Sequence, residues 1–159
     1  MDDLGIVTRQ LGRELTCNMA PVSRCTAGFP VVVRNEPVTR DGVPFPTLYW
    51  LTCPSLCTDI SRLEASGAVV DFERLLQSPE TRTALLASDL AYRRERVEDG
   101  GAAGTALLEV GIAGNRDPLH IKCLHAHAAD FLAAGLNPIG EKVLERAPMP
   151  IDCRICAVR

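Results

Sequence analysis

The chain has 159 residues, 47% of them hydrophobic and 23% charged, with a formal net charge of −3. It is long enough to bury a core as one domain over residues 1–159, and it carries no basic field that would favour nonspecific nucleic-acid binding. The Met1-Asp2-Asp3 start lacks the basic and apolar regions of a signal peptide. No uncharged apolar run approaches the ~18 residues of a membrane span, so a cytoplasmic protein that does not enter a membrane is expected.

Leu4, Val7, Leu11 and Leu15 recur at helical spacing and predict a short first helix closing near Gly12. Three short strands follow, over Met19 to Cys25, Pro30 to Arg34 and Thr47 to Thr52. Val31-Val32-Val33 and Leu48-Tyr49-Trp50-Leu51 supply their β-branched and aromatic content. The Asp41-Gly42 dipeptide marks a turn between the second and third. After Cys53-Pro54 the period changes to 3.6, with Leu56, Ile60 and Leu63 facing inward and Ser66-Gly67 as the stop. A further helix begins near Asp71, and Ser78-Pro79-Glu80 opens another that runs to about Glu98. Its Arg93-Arg94-Glu95-Arg96 run reads as a solvated face, and Gly100 to Gly104 reads as a flexible connector. A helix over residues 117–134 is expected next, with Pro118 in its first turn and Gly135 as its stop. Asn137-Pro138 opens the last helix. A small antiparallel sheet of about three strands in the N-terminal third, packed by four to six helices, makes the fold class α+β.

Seven cysteines, an odd number in a chain expected to be cytoplasmic, are poorly explained by disulfides. Metal ligation, a reactive thiol or plain burial remain. On the predicted 117–134 helix, His120, Cys123, His127 and Asp130 form one stripe, and Cys123 and His127 are one turn apart, as two ligands of one ion can be. Cys53 stands where a strand hands over to a helix N-terminus, and Cys25 lies at a strand end. Cys25, Cys53, Cys123 and His127 are therefore the candidate metal ligands, for zinc ahead of an iron–sulfur cluster. Three such cysteines on one ion, at ~2.3 Å each, must bring their sulfurs within about 4 Å of one another. His120, His125, Cys153 and Cys156 compete with His127 for the fourth place. Cys153 and Cys156 have a knuckle spacing but no second pair, and Cys53 with Cys57 is another partial pair.

The same segment also admits an enzyme. His125 and Lys122 project away from the Cys123 stripe and could act on a substrate, which makes them the candidate catalytic residues. Gly111-Ile112-Ala113-Gly114 before a helix start could receive an anion, although Gly-x-x-Gly alone is common in turns.

Arg24-Cys25-x-x-Gly28-x-Pro30, Asp41-Gly42-x-Pro44-Phe45-Pro46-Thr47-Leu48-Tyr49-Trp50-Leu51-Thr52-Cys53-Pro54, Ser61-Arg62-Leu63-Glu64-Ala65-x-Gly67, Lys122-Cys123-Leu124-His125 and Asn137-Pro138-x-Gly140 resemble the bacterial DUF501 family. The resemblance implies a small cytoplasmic protein of unassigned function. It also implies gene neighbours encoding an exopolyphosphatase-like protein and a septum-formation protein. In the relatives the resemblance implies, the position of Cys53 is sometimes histidine, an exchange that suits a metal site better than a core. The shared Lys-Cys-Leu-His motif directs attention to His125. Three readings stand together: a metal-binding protein, a hydrolase acting on a phosphate-containing substrate, and a non-enzymatic interaction module linked to polyphosphate metabolism or cell division.

Overall fold

Val31-Val32-Val33 forms the middle of the sheet and is almost wholly buried. The computed structural model describes residues 2–151 and 155–157. Strand β1 (Met19–Arg24), β2 (Pro30–Asn35) and β3 (Tyr49–Leu51) pair antiparallel in the order β1-β2-β3. The central strand is apolar on both faces, as a doubly covered strand must be. β1 alternates between half-buried and exposed residues, and its register with β2 shifts on either side of Ser23. Pro21 is tolerated there because β1 is an edge.

Six α-helices accompany the sheet among the described residues, so the α+β arrangement is observed. α1 (Asp3–Leu11) covers one face, where Val7, Leu15 and Val33 form a small core with Trp50 against it. The Asp2 side chain caps its first turn and Gly12 closes it in the left-handed conformation. α2 (Pro54–Ala65) follows β3 directly, then come α3 (Val69–Arg74) and the long α4 (Pro79–Ala106). α5 (Leu124–Ala134) and α6 (Pro138–Arg146) pack on the other face, and their buried residues join Val32, Tyr49, Leu51, Leu56, Ile60 and Leu85 in the main core.

Three expectations change. Gly100–Gly104 is not a loose connector: the chain stays helical to Ala106 around a break at Gly101 (φ 51°, ψ −121°), and Gly104 packs on the backbone of Arg96 and Val97. The Arg93–Arg96 run is fully solvated only at Arg94. Arg96 is fully buried, Arg93 Nε donates to Asp89 Oδ2 at 2.6 Å, and Glu95 Oε2 accepts from the Tyr49 hydroxyl at 2.6 Å. The second change has its cause in partners from other segments, which satisfy polar groups that the local sequence leaves for water: Tyr49 for Glu95, and the Pro46 and Leu107 carbonyls for Arg96.

The third change concerns residues 117–134, where the helix begins only at Leu124. The Asp117 side chain accepts the Leu119 N–H at 2.9 Å, which favours a turn over a helix start. Glu73 of α3 accepts the Ile121 N–H at 3.2 Å, and Glu64 of α2 accepts the Leu124 N–H at 2.7 Å. Two carboxylates from other helices thus hold the backbone extended through Cys123, with Ile121 driven into the core. The predicted His120–Cys123–His127–Asp130 stripe does not form.

α5 and α6 meet at Gly140, where an added Cβ would fall against the His127 carbonyl and the Phe131 Cβ. Gly140→Ala is expected to destabilise by about 2 kcal/mol, the usual scale of overpacking. Thermal melting should show a midpoint lower by roughly 6 °C; an unchanged midpoint would mean the two helices separate without penalty.

Candidate functional site

Helical spacing on α2 puts Cys57, Ser61 and Glu64 on one stripe, at steps of four and three. This stripe faces the start of α5. Cys123 is the N-cap residue of α5 but its side chain makes no capping bond, so the first amides need acceptors from elsewhere. Glu64 Oε1 supplies one through its bond to Leu124 N–H.

His125, in the first turn of α5, sits between these groups. Its Nδ1 lies 3.2 Å from Glu64 Oε1 and 4.0 Å from Cys123 Sγ. Its Nε2 lies 3.0 Å from the Cys57 carbonyl and 3.2 Å from Ser61 Oγ. A carbonyl oxygen can only accept, so Nε2 carries a proton. The Cys123 sulfur raises the His125 pKa most, and the Cys57 carbonyl and Glu64 charge add to it. Against the opposing effect of burial, the value reaches about 9. Cys57 is pushed up to about 12 by burial first and then by Cys53 and Cys123, and its thiol lies 3.6 Å from the Leu51 carbonyl.

Among the described residues, Glu64, Cys123 and His125 are the group whose ligand-type atoms all lie within 4.8 Å of one another. A tetrahedral zinc ion with ordinary bond lengths separates such atoms by roughly 3.3–3.7 Å, so the group is close to the shape of a three-donor site. Cys123 and His125 also line a cleft of about 350 Å³ walled by Pro46, Tyr49, Leu51, Tyr92 and Ala126. No lysine or arginine lines it.

The other expected residues stand elsewhere. Cys25 lies in the turn from β1 to β2, its N–H bonded to the Phe29 carbonyl at 3.0 Å. Cys53 is buried at the N-cap of α2. His127 is buried, with Nδ1 accepting from Asn137 Nδ2 at 3.1 Å, and burial lowers its pKa to about 4. Asn137 also donates to Asp130 Oδ2 at 3.0 Å, and Ser88 donates to the same oxygen at 2.6 Å. Exposed His120 pairs with Glu73 at 3.0 Å, and Lys122 is exposed on the segment leading to Cys123. Cys156 lies against Gln10 of α1, 3.2 Å from its Nε2. Cys153 lies outside the described residues. Gly111–Gly114 ends in a 3₁₀ turn with no helix after it, so no helix N-terminus is available there for an anion.

The unforeseen member is Glu64. The available signal was its place on the Cys57–Ser61–Glu64 stripe, inside the Ser61-Arg62-Leu63-Glu64 motif.

A family model described as "Protein of unknown function (DUF501)" matches residues 22–145. No curated protein and no solved structure matches the chain. No helix among the described residues is long and apolar enough to cross a membrane.

Proposed function

The chain belongs to the DUF501 family, and from the geometry of its site we propose that it binds a transition-metal ion, zinc first, through Glu64, Cys123 and His125. The observation that carries this reading is the convergence of three different donors on one point. The bond from Nε2–H to the Cys57 carbonyl fixes the imidazole so that Nδ1 is the ligating nitrogen, as second-shell partners of metal-bound histidines do. A thiolate, a carboxylate and an imidazole match the zinc preference, and three protein donors leave a fourth position for an exchangeable ligand.

Three alternatives fit less well. A nucleophilic cysteine needs its base between the thiol and an orienting acid, one on each ring nitrogen. Here Cys123 and Glu64 both approach Nδ1. A phosphate-processing site calls for cationic side chains, and the cleft lining has no lysine or arginine. An iron–sulfur cluster would draw on several thiolates, whereas burial holds the Cys57 thiol protonated. Of the ligands expected from sequence, Cys123 stays in the proposed set; Cys25, Cys53 and His127 are not members of it.

Anaerobically purified protein should carry stoichiometric metal, and cobalt should give a thiolate charge-transfer band. Cys123→Ser and His125→Ala should each weaken cobalt binding by roughly 100-fold or more, beyond the usual penalty for losing an outer-shell partner. Cys25→Ser should leave it unchanged. Absence of the charge-transfer band at saturating cobalt would sink the reading.

A further inference from the structure

β3 is an edge strand, and its free side looks onto the cleft that holds Cys123 and His125. The direction of its polar groups follows from the register. Val33 pairs with Trp50, Asn35 N–H bonds the Leu48 carbonyl at 2.7 Å, and Thr52 N–H bonds the Val31 carbonyl at 2.8 Å. The Leu48 carbonyl and the Thr52 N–H thus point toward β2 with the Trp50–Val33 pair between them, while the Leu48 N–H goes to the Tyr92 hydroxyl at 2.7 Å, and the alternation turns the backbone groups of Tyr49 and Leu51 outward. The Leu51 carbonyl faces the Cys57 thiol, and the Tyr49 N–H faces the Tyr92 hydroxyl. Among the described residues, that leaves one acceptor, the Tyr49 carbonyl, and one donor, the Leu51 N–H, outside the ladder on the cleft side.

An acceptor at one residue and a donor two residues on is what a strand offers to a single residue of a parallel neighbour. The incoming N–H meets the first and the incoming carbonyl meets the second. The walls around this pair are apolar, from Leu51, Ala126 and the rings of Tyr49 and Tyr92 on one face of the strand and from Trp50 on the other, so the side chain of a residue opposite Trp50 meets the Trp50 side chain. Both hydroxyls are engaged away from an incoming ligand, Tyr49 with Glu95 and Tyr92 with Leu48 N–H and the Pro46 carbonyl. No lysine or arginine lines the cleft, so a polyanion finds no cationic arm there.

We propose that the cleft takes a short peptide in extended conformation, with an apolar residue opposite Trp50 and its backbone N–H and carbonyl paired to Tyr49 and Leu51. β3 runs toward α2, so a parallel segment sends its C-terminal side toward Cys57 and His125. Its next carbonyl then reaches the Glu64–Cys123–His125 group. This last point rests on the metal reading above, while the pairing to β3 does not.

The experiment has two arms. On cobalt-loaded protein, N-acetyl-leucyl-glycyl hydroxamate is compared with acetohydroxamate and pyrophosphate by the visible spectrum. The peptide hydroxamate should bind at least about tenfold more tightly than acetohydroxamate, and pyrophosphate no better than acetohydroxamate. Ala126→Phe fills the cleft without touching a ligand; it should abolish the peptide advantage and keep the cobalt spectrum. On metal-free protein, N-acetyl-leucyl-glycinamide should shift the Leu51 amide resonance downfield. Equal binding of the two hydroxamates, with cobalt bound, would overturn the peptide inference and leave the metal reading standing. A Leu51 shift in a protein that takes up no cobalt would support the cleft inference and sink the metal reading. No Leu51 shift at saturating peptide would overturn the pairing to β3.

Discussion

Arg96→Met is expected to lower the unfolding free energy by about 4 kcal/mol or more, with Arg96→Lys between it and the natural protein. Arg96 is fully buried on α4 and donates to three carbonyls: Pro46 and Leu107, each at 2.7 Å, and Val110. Its guanidinium also lies 5.3 Å from the Tyr92 ring, and the Asp89 charge offsets part of its burial. Methionine keeps most of the aliphatic bulk but leaves three carbonyls without their donor, each costing about 1–3 kcal/mol. Lysine keeps the charge yet lacks the planar fork that reaches separate segments at once. Pro46 is also a wall of the cleft, so ligand binding should weaken along with stability. Urea unfolding gives the measurement. Arg96→Met within 1 kcal/mol of the natural protein would mean water reaches these carbonyls and the clamp is not structural.

The second large effect concerns pH. Asp130 and His127 share the two hydrogens of the Asn137 amide, at 3.0 and 3.1 Å. Burial raises Asp130 from its ordinary 3.8 to about 6, against the opposing bonds from Ser88 and Asn137, with Asp89 and Glu95 adding to the rise. Burial lowers His127 from 6.5 to about 4, with Asn137 and Asp89 opposing. A carboxyl raised on folding keeps its proton in the native state, so its stabilisation is full below pH 3.8 and is lost as pH rises through 6. A histidine lowered on folding has the reverse sign: its contribution is full above pH 6.5 and is lost as pH falls through 4. Each shift corresponds to about 3 kcal/mol. Between pH 4 and 6 the two slopes oppose and nearly cancel.

Single substitutions should expose them. Relative to the natural protein, Asp130→Asn should gain stability as pH rises from 4 to 6, by about 3 kcal/mol, and His127→Gln should lose a similar amount. Groups titrating elsewhere are common to all three proteins and drop out of the differences. Urea midpoints measured across this range decide the matter: parallel pH curves for all three would show that neither group is held in its uncharged form.

Local chemistry made much of the fold legible. Asp2, Ser78 and Asn137 each cap a helix through their own side chains, and Gly12 and Gly135 end helices in the left-handed conformation. These signals act within four residues, so a sequence displays them. Val31 to Val33 announced a doubly covered strand because nothing in it could face water. The α+β order and the family resemblance rest on such stretches.

What the sequence left open was decided by partners far along the chain. The start of α5 depends on Glu64 and Glu73, about 50 to 60 residues away, which capture the amides that a helix from Pro118 would have used. Arg96 is buried because Pro46, Leu107 and Val110 bring it carbonyls. The candidate site has the same origin. Cys123 was legible as a chemical residue, and His125 as its motif partner, but Glu64 joined them through tertiary packing of α2 against α5. Composition and spacing fix which donors a chain owns; only the fold, by bringing carboxylate, thiol and imidazole within one ion's reach, selects which of them meet.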